Sequence, residues 1–114
     1  MKKEREMYCR TAVSFYKDGF DAGIGFGKGI AMLLERVDKF GSINQATRDM
    51  GMAYSKAWRI LKATEAEFGV SLVSRDGARG SSLTEDARRL LELYYALNKR
   101  AREAVKAEIE ARGL

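Results

Sequence analysis

Lysine and arginine recur every three residues along one predicted helix, at Lys56, Arg59 and Lys62. This spacing places them on one gently drifting stripe, and apolar residues occupy the opposite face. Tyr54 and Ser55 add hydroxyl groups near the start of the same helix. Such side chains can contact phosphate oxygens and the edges of bases in nucleic acid. The stripe is also typical of a solvated amphipathic helix, so by itself it leaves both interpretations open.

Residue types that catalysis or metal binding would need are scarce. The sequence has no histidine and a single cysteine, Cys9. Histidine-based catalytic triads are therefore excluded in their usual forms, and one cysteine cannot build a zinc cage. Scattered carboxylates on helices are typical of solvated faces. We therefore expect no enzyme activity, no catalytic residue, no metal and no cofactor.

A glycine-rich segment, GIGFGKG at residues 23–29, precedes a helical pattern, and such segments can bind phosphate. Its spacing does not fit the dinucleotide motif G-x-G-x-x-G, because Lys28 stands where the third glycine belongs when counted from Gly23. The P-loop motif fails as well, since Gly29 follows Lys28 where serine or threonine is needed. The segment is better explained as the end of a strand that leads into a helix.

Length and composition indicate one compact domain, with 114 residues of which 46% are hydrophobic and 32% charged. The net charge of +5 suits a polyanionic partner such as nucleic acid. No apolar run approaches the roughly 20 residues that span a bilayer, and no secretory signal follows the charged N-terminus. Because a single cysteine suits a reducing compartment, we expect a cytoplasmic protein without a membrane partner.

The N-terminal part of the chain carries the signal of a β-hairpin. Asp18-Gly19 is a strong two-residue turn, because both residues tolerate a positive φ. With this turn as the loop, Thr11 faces Phe26. Directly opposed residues share a face of the sheet, so the pattern predicts one apolar face made up of Val13, Phe15, Phe20, Ala22, Ile24 and Phe26. The charged residues 1–9 are predicted to be a flexible N-terminus.

Beyond the hairpin, the helical spacing of apolar residues predicts helices at about residues 28–40, 43–50, 54–68 and 85–112. A small hairpin with a polar tip lies between the third and fourth helices. Thr84 caps the last helix, which is longer than one small domain needs to cover its core. We therefore predict an α+β, mainly helical fold, with a domain at residues 10–84 and a C-terminal helix at residues 85–114.

Residues 41–58, GSINQATRDMGMAYSKAW, resemble the DNA-binding domain of ModE-type, molybdate-responsive regulators. This likeness lies in Gly41, Ser42, Ile43, Gln45, Asp49, Gly51, Tyr54, Ala57 and Trp58. Residues 41–75 are also similar to the broader LysR-type winged helix-turn-helix. That similarity includes Gly41, Ser42, Ala46, Glu65, Phe68, Gly69, Val70, Leu72 and Arg75, followed by Leu83 and Thr84.

The resemblance implies a winged helix-turn-helix that binds double-stranded DNA and forms a homodimer through its long last helix. In this fold the second helix of the motif enters the major groove. Together with the basic stripe, it implies DNA contacts from Ser42, Asn44, Gln45, Tyr54, Ser55, Lys56, Arg59, Lys62, Arg75 and Arg79. The implied dimer interface is the apolar stripe of Leu90, Tyr94, Leu97, Ala101, Val105 and Ile109.

The sequence also departs from the pattern of the ModE-type regulators. Ala53 stands where that family usually has a serine that caps the recognition helix, and a lost cap should cost roughly 1 kcal/mol. The wing is shorter, and an N-terminal hairpin replaces a helical start. Because the sequence ends at Leu114, we expect no oxyanion-binding domain after it. We therefore do not expect molybdate sensing to come with the resemblance.

These features together predict a sequence-specific transcription regulator that acts as a dimer without a C-terminal effector domain. Its small-molecule effector, if it has one, is unknown from the sequence. Two alternatives use the same fold. One is a protein-interaction module that has lost DNA binding, and the other is an oxyanion sensor with its ligand at the dimer interface.

Overall fold

The computed structural model of the protein describes residues 6–19, 23–77 and 80–113. Its elements in chain order are α1 (Lys28–Phe40), α2 (Ile43–Met50), α3 (Tyr54–Phe68), β1 (Val73–Arg75), β2 (Ser81–Leu83) and α4 (Glu85–Arg112). β1 and β2 form a two-stranded antiparallel sheet, the wing. The predicted winged helix-turn-helix with a long C-terminal helix is therefore confirmed.

The core is built around α1, which contacts α2, α3, α4 and β2. α2, α3 and α4 each place a fully buried alanine in this core, at Ala46, Ala57 and Ala87. Small side chains allow helices to approach closely, and larger apolar residues fill the remaining space. The buried core consists of Phe26, Ile30, Ala31, Leu33, Leu34, Val37, Ile43, Ala46, Ala57, Leu61, Leu72, Leu83, Ala87 and Leu91.

α4 leaves the core part-way along its length. Its buried residues are Ala87 and Leu91, both in its first two turns. A helix of 28 residues is about 42 Å long at 1.5 Å per residue, and the whole molecule measures 61 × 35 × 23 Å. The second half of α4 therefore extends beyond the compact domain. Within the described residues, no helix is long and apolar enough to cross a membrane.

Polar contacts on the surface cross-link α1 to its neighbours. Arg36 Nε lies 2.7 Å from Asp49 Oδ2 in α2, and Arg88 Nη2 of α4 lies 3.0 Å from Asp38 Oδ1. Tyr95 of α4 also donates a hydrogen bond to the Glu35 carboxylate. Desolvation, with a smaller contribution from this hydrogen bond, raises the pKa of Tyr95 to about 12.

The N-terminal segment reverses direction as predicted, but the predicted register is wrong. Phe15, and not Thr11, pairs with Phe26 through two backbone hydrogen bonds of 3.0 and 2.8 Å. Ile24, which the pattern placed on the apolar face, is 55% exposed. Phe20 and Ala22 lie outside the described residues. Among the residues that are described, one antiparallel bridge stands in place of a regular hairpin.

Aromatic packing explains the observed register. The rings of Phe15 and Phe26 stack with centroids 5.0 Å apart, and both meet Phe68 of α3 edge-on. Glu67 of α3 accepts a hydrogen bond from the Gly25 N–H at 2.9 Å. Burial of a phenylalanine ring contributes about 2–3 kcal/mol, which exceeds the preference of a two-residue turn. Packing on α3 therefore sets the pairing.

Candidate nucleic-acid interface

A tight turn at residues 51–53 sets α3 against α2. Gly51 ends α2 with a φ of 65°, a left-handed conformation that glycine adopts without steric cost. Its N–H donates to the Arg48 carbonyl at 3.2 Å, and the Met52 N–H donates to the Thr47 carbonyl at 2.9 Å. The buried faces of α2 and α3 both contact α1. The outer face of α3 is therefore held in a fixed direction.

That outer face carries the predicted stripe, because Tyr54, Ser55, Lys56, Arg59 and Lys62 are all exposed. Lys62 Nζ lies 3.5 Å from Glu65 Oε1, so its charge is partly balanced. Neither Lys56 nor Arg59 forms an ion pair with another described residue. The first two turns of α3 thus present two cations and two hydroxyl groups to solvent.

The N-terminus of α3 has no side-chain cap. Ala53 occupies the N-cap position with extended backbone, at φ −65° and ψ 138°, and it has no oxygen to accept a hydrogen bond from the first turn. α2 differs at the same position, since Ser42 Oγ accepts the Gln45 N–H at 3.1 Å. The structure therefore confirms that α3 lacks a side-chain cap, as the sequence predicted, at the end that carries the exposed stripe.

The start of α2 and the wing form one side of an open cleft. Asn44 and Gln45 are exposed at the beginning of α2. A cleft of about 320 Å³ lies between this end of α2, the start of α3 and the wing. Its lining residues are Ser42, Ile43, Asn44, Tyr54, Arg75, Gly77, Gly80 and Ser81. The structure thus brings together residues from all three segments that the sequence predicted to contact DNA.

The wing is tied to the loop between α1 and α2. The Ser81 N–H donates to the Gly41 carbonyl at 2.9 Å. Gly80 has a φ of 92°, and a Cβ there would lie 2.3 Å from the Gly41 carbonyl oxygen. Asp76 joins the two strands, because its carboxylate accepts the hydroxyl groups of Ser74 at 3.3 Å and Ser82 at 3.0 Å. Only glycine fits at position 80, so the sequence permits this close approach.

Arg75, the last residue of β1, lies against α3. Its guanidinium carbon is 4.4 Å from the centre of the Trp58 ring, and its Nη2 donates to Tyr54 Oη at 3.2 Å. Tyr54 and Trp58 meet edge to face, with centroids 6.2 Å apart. The side chain of Arg75 therefore connects the wing to α3. Arg79, the other predicted wing contact, lies outside the described residues.

Comparison with known proteins gives a family match over the helix-turn-helix and the wing. Residues 31–88, about half of the chain, match the family of bacterial regulatory helix-turn-helix proteins of the LysR family. The chain belongs to this family. Over 71 residues it is 35% identical to the transcriptional regulator ModE of Haemophilus influenzae, a match that covers 59% of this chain and 28% of that protein.

A solved structure supports the fold of this LysR-family chain. The crystal structure of CbnR, a LysR family transcriptional regulator, superposes with a TM-score of 0.54 and 23% sequence identity, over 68% of this chain and 27% of that one. The chain thus spans roughly a quarter of the length of both relatives. The likeness to LysR-type and ModE-type regulators predicted from the sequence is confirmed. The matched family is described as one of regulatory helix-turn-helix proteins, and the ModE relative is named as a transcriptional regulator.

The stripe predicted as the dimer interface of this LysR-family chain divides into two parts. Leu90 and Tyr94 pack against the domain's own core. Leu97, Ala101, Val105 and Ile109 lie beyond the core and are half-buried. Residues 6–9 have no helix or strand and line a cleft of about 560 Å³ with the C-terminal end of α4. Residues 1–5 lie outside the described part of the chain.

Two residues of α3 have roles that the sequence did not predict. Trp58 is half-buried, packs against the core and supports Arg75. Glu67 holds the N-terminal segment through the Gly25 N–H. The partners are 17 and 42 residues apart along the chain, so no local pattern could reveal either contact. The sequence gives one indication of the role of Trp58, which is its position next to Arg59 of the basic stripe.

Proposed function

We propose that this LysR-family chain binds specific sequences of double-stranded DNA, with α3 in the major groove. The exposed face of α3 carries the proposal. Lys56 and Arg59 project from that face beside two hydroxyl groups, and neither cation is neutralised by another described residue. A helix fits the major groove, where arginine and lysine recognise guanine and hydroxyl groups contact bases or phosphates.

The neighbouring segments supply contacts to the DNA backbone in this proposal. Ser42, Asn44 and Gln45 at the start of α2 bind phosphate through side chains and backbone N–H groups. Lys62, which shares its charge with Glu65, binds a phosphate at the edge of the groove. The wing, including Arg79, lies along the backbone or the minor groove. Base contacts from Tyr54, Ser55, Lys56 and Arg59 supply the sequence specificity.

The first experiment is selection of bound sequences from random duplex DNA, followed by titrations of the selected site with two variants. Arg59→Ala should weaken binding by about tenfold or more, because a bidentate contact to guanine contributes about 1–3 kcal/mol. Lys56→Ala should also weaken binding, and the salt dependence will show whether it contacts a phosphate. Lys99→Ala at the middle of α4 is the matched control, since its side chain is exposed and lies outside the segments proposed to contact DNA.

Two outcomes would count against the proposal. If Arg59→Ala and Lys56→Ala both bind the duplex as tightly as the parent chain and melt at the same temperature, the groove assignment is wrong. If the folded parent chain retains no duplex even at low salt, where phosphate contacts are strongest, the interaction-module alternative is favoured instead.

We further propose that the chain acts as a homodimer through the distal half of α4. Four half-buried apolar residues recur there every four positions beyond the last contact with the core: Leu97, Ala101, Val105 and Ile109. Helices with such a stripe bury it against another helix. A two-fold dimer would place two α3 helices about 34 Å apart, which matches successive major grooves on one face of DNA.

Sedimentation of a charged variant tests the dimer. The double substitution Val105→Glu and Ile109→Glu should give a monomer that remains folded, because neither residue is in the buried core. Lys99→Glu changes the net charge by the same amount at an exposed position and should leave the dimer intact. A double variant that still sediments as a dimer would place the interface elsewhere.

The proposed role also sets the expected compartment. The family is bacterial, and bacterial DNA lies in the cytoplasm. We therefore propose a cytoplasmic regulator whose partners are double-stranded DNA and a second copy of the chain. Regulation of transcription by occupying a site on DNA requires no enzyme activity, metal or cofactor.

A further inference from the structure

Arg75 connects the wing to the recognition helix by two contacts with different chemistry. Its guanidinium group lies over the face of Trp58, with 4.4 Å between the guanidinium carbon and the ring centre. The same group donates a hydrogen bond of 3.2 Å to Tyr54 Oη. Tyr54 and Trp58 are one turn apart on α3, so both contacts fall on one side of that helix. A planar guanidinium group can stack and donate at once.

The opposite strand of the wing is anchored at the same level. Arg75 pairs with Ser81 in the register of β1 and β2. The Ser81 N–H donates to the Gly41 carbonyl in the loop before α2, as described above. One strand of the wing is therefore bound to α3 and the other to the start of α2. The wing is held from both sides against the two helices of the motif.

We propose that Arg75 is a positioning residue, which acts through Trp58 and Tyr54 to fix the wing against α3. DNA then meets α3 and the wing as one rigid surface. Because the wing is already ordered, binding does not incur the entropic cost of ordering it. This inference rests on the proposed DNA-binding function. It replaces the direct DNA contact that the sequence resemblance implied for Arg75.

A direct contact and a positioning role make different demands on residue 75. A contact with phosphate depends mainly on positive charge, so lysine would serve nearly as well as arginine. Stacking on Trp58 while donating to Tyr54 requires the planar guanidinium group, so lysine would fail much as alanine does. The comparison of Arg75→Lys with Arg75→Ala therefore separates the two roles.

Tryptophan fluorescence provides a readout that does not involve DNA. Trp58 is the single tryptophan of the chain, so its emission reports the surroundings of this one ring. Arg75→Ala and Arg75→Lys should both change the emission maximum or intensity of the folded protein. Lys56→Ala, which removes an exposed cation two residues from Trp58, should leave the emission unchanged. If the emission is unaffected by both Arg75 substitutions, the proposal is overturned.

DNA titrations then test the consequence for binding. Arg75→Ala and Arg75→Lys should each bind the selected duplex about fivefold more weakly, on the scale of one cation–π contact and one hydrogen bond. Trp58→Leu removes the stacking and leaves the hydrogen bond to Tyr54, so it should show part of this loss. Its combination with Arg75→Ala should add little, because Arg75→Ala already removes the stacking. Trp58→Phe keeps an aromatic ring under Arg75 and should bind within about twofold of the parent chain.

Melting temperatures identify any variant that fails to fold, and the two Arg75 variants carry the binding test by themselves if Trp58→Leu unfolds. A direct phosphate contact would appear as parent-like binding by Arg75→Lys together with a salt slope about one unit lower for Arg75→Ala, and this result would overturn the positioning role. Failure of the parent chain to bind any duplex would refute the proposed function. The fluorescence comparison would still decide whether Arg75 holds the wing.

Discussion

The end of the molecule made up of α2, α3 and the wing, which we propose faces DNA and call the DNA-facing end, and the distal half of α4 are stabilised in different ways. At the DNA-facing end, contacts join elements far apart in the sequence, such as Arg75 with Tyr54 and Ser81 with Gly41. In the distal half of α4, the ion pairs are local, as between Lys99 and Glu103 or within the last turn of the helix. The polar contacts of the first region join distant segments, whereas those of the second are confined to one helix.

This difference bears on how each region gains its stability. Pairs of opposite charge four residues apart stabilise a helix by only about 0.2–0.5 kcal/mol each. Isolated helical segments are marginal in water, so the distal half of α4 gains its main stabilisation from whatever covers its apolar stripe. The DNA-facing end is already fixed by the core and the wing contacts. A ranked set of substitutions can test this contrast.

The largest expected effect compares Leu91 with Val105 on the same helix. Leu91 is 7% exposed in the core, so Leu91→Ala should lower the free energy of unfolding by about 2–4 kcal/mol. Val105 lies beyond the core, and Val105→Ala should cost less than about 1 kcal/mol in the monomer. Urea unfolding at several protein concentrations measures both. Equal losses at low concentration would show that the two halves of α4 are not distinct.

The next effect concerns the close approach of the wing to the loop before α2. Gly80→Ala forces a Cβ to within 2.3 Å of the Gly41 carbonyl oxygen at a positive φ, and it should cost about 2–3 kcal/mol. Gly77→Ala is the matched control, since Gly77 also has a positive φ, of 61°, but faces open space. It should cost about 1 kcal/mol. Thermal unfolding of the two variants would contradict this account if Gly77→Ala were the more damaging.

A smaller effect, of opposite sign, tests the weak point of the DNA-facing end. Ala53→Ser supplies an N-cap oxygen to α3 and should stabilise the protein by about 1 kcal/mol. Ser42→Ala removes the hydrogen bond that caps α2 and should cost a similar amount. Chemical denaturation compares the pair. If Ala53→Ser lowers the free energy of unfolding, alanine and not serine is the more stabilising residue at the N-cap of α3.

The smallest effect lies where α1 and α4 meet, at the border of the two regions. Because burial, and after it the hydrogen bond to Glu35, raises the pKa of Tyr95 from 10.0 to about 12, the protonated side chain stabilises the fold below pH 10. This contribution disappears as the pH rises through about 12. Since Tyr95 is 46% exposed, Tyr95→Phe should cost no more than about 0.5 kcal/mol at pH 8. Unfolding free energies of both proteins should converge at the alkaline end of the series.

The helices were predictable because their signals are local. Apolar spacing located all four, and the capping residues Ser42 and Thr84 together with the glycines that follow the helices marked their ends. The basic stripe was predictable for the same reason, since exposure of Lys56 and Arg59 follows from helical periodicity once the apolar face is assigned. Local chemistry therefore accounts for the elements and for the outer face of α3.

Contacts between distant segments were beyond the reach of the same reasoning. The turn signal at Asp18-Gly19 suggested one register, but the stacking of Phe15 on Phe26 against α3 imposed another. Arg75 was predicted from resemblance as a DNA contact, and its position over Trp58 depends on the register of the wing. In both cases the decisive energy comes from side chains that meet only in the folded chain.

The stacking of Phe15 on Phe26 also determines where the folding unit begins. The family match starts at residue 31, yet Phe26 is fully buried and Phe15 packs on it from further upstream. A fragment trimmed to the family match would lose both rings and expose the apolar surface of Phe68 and Tyr94 that they cover. Such a fragment should aggregate on expression, whereas one that starts before Phe15 should remain dispersed.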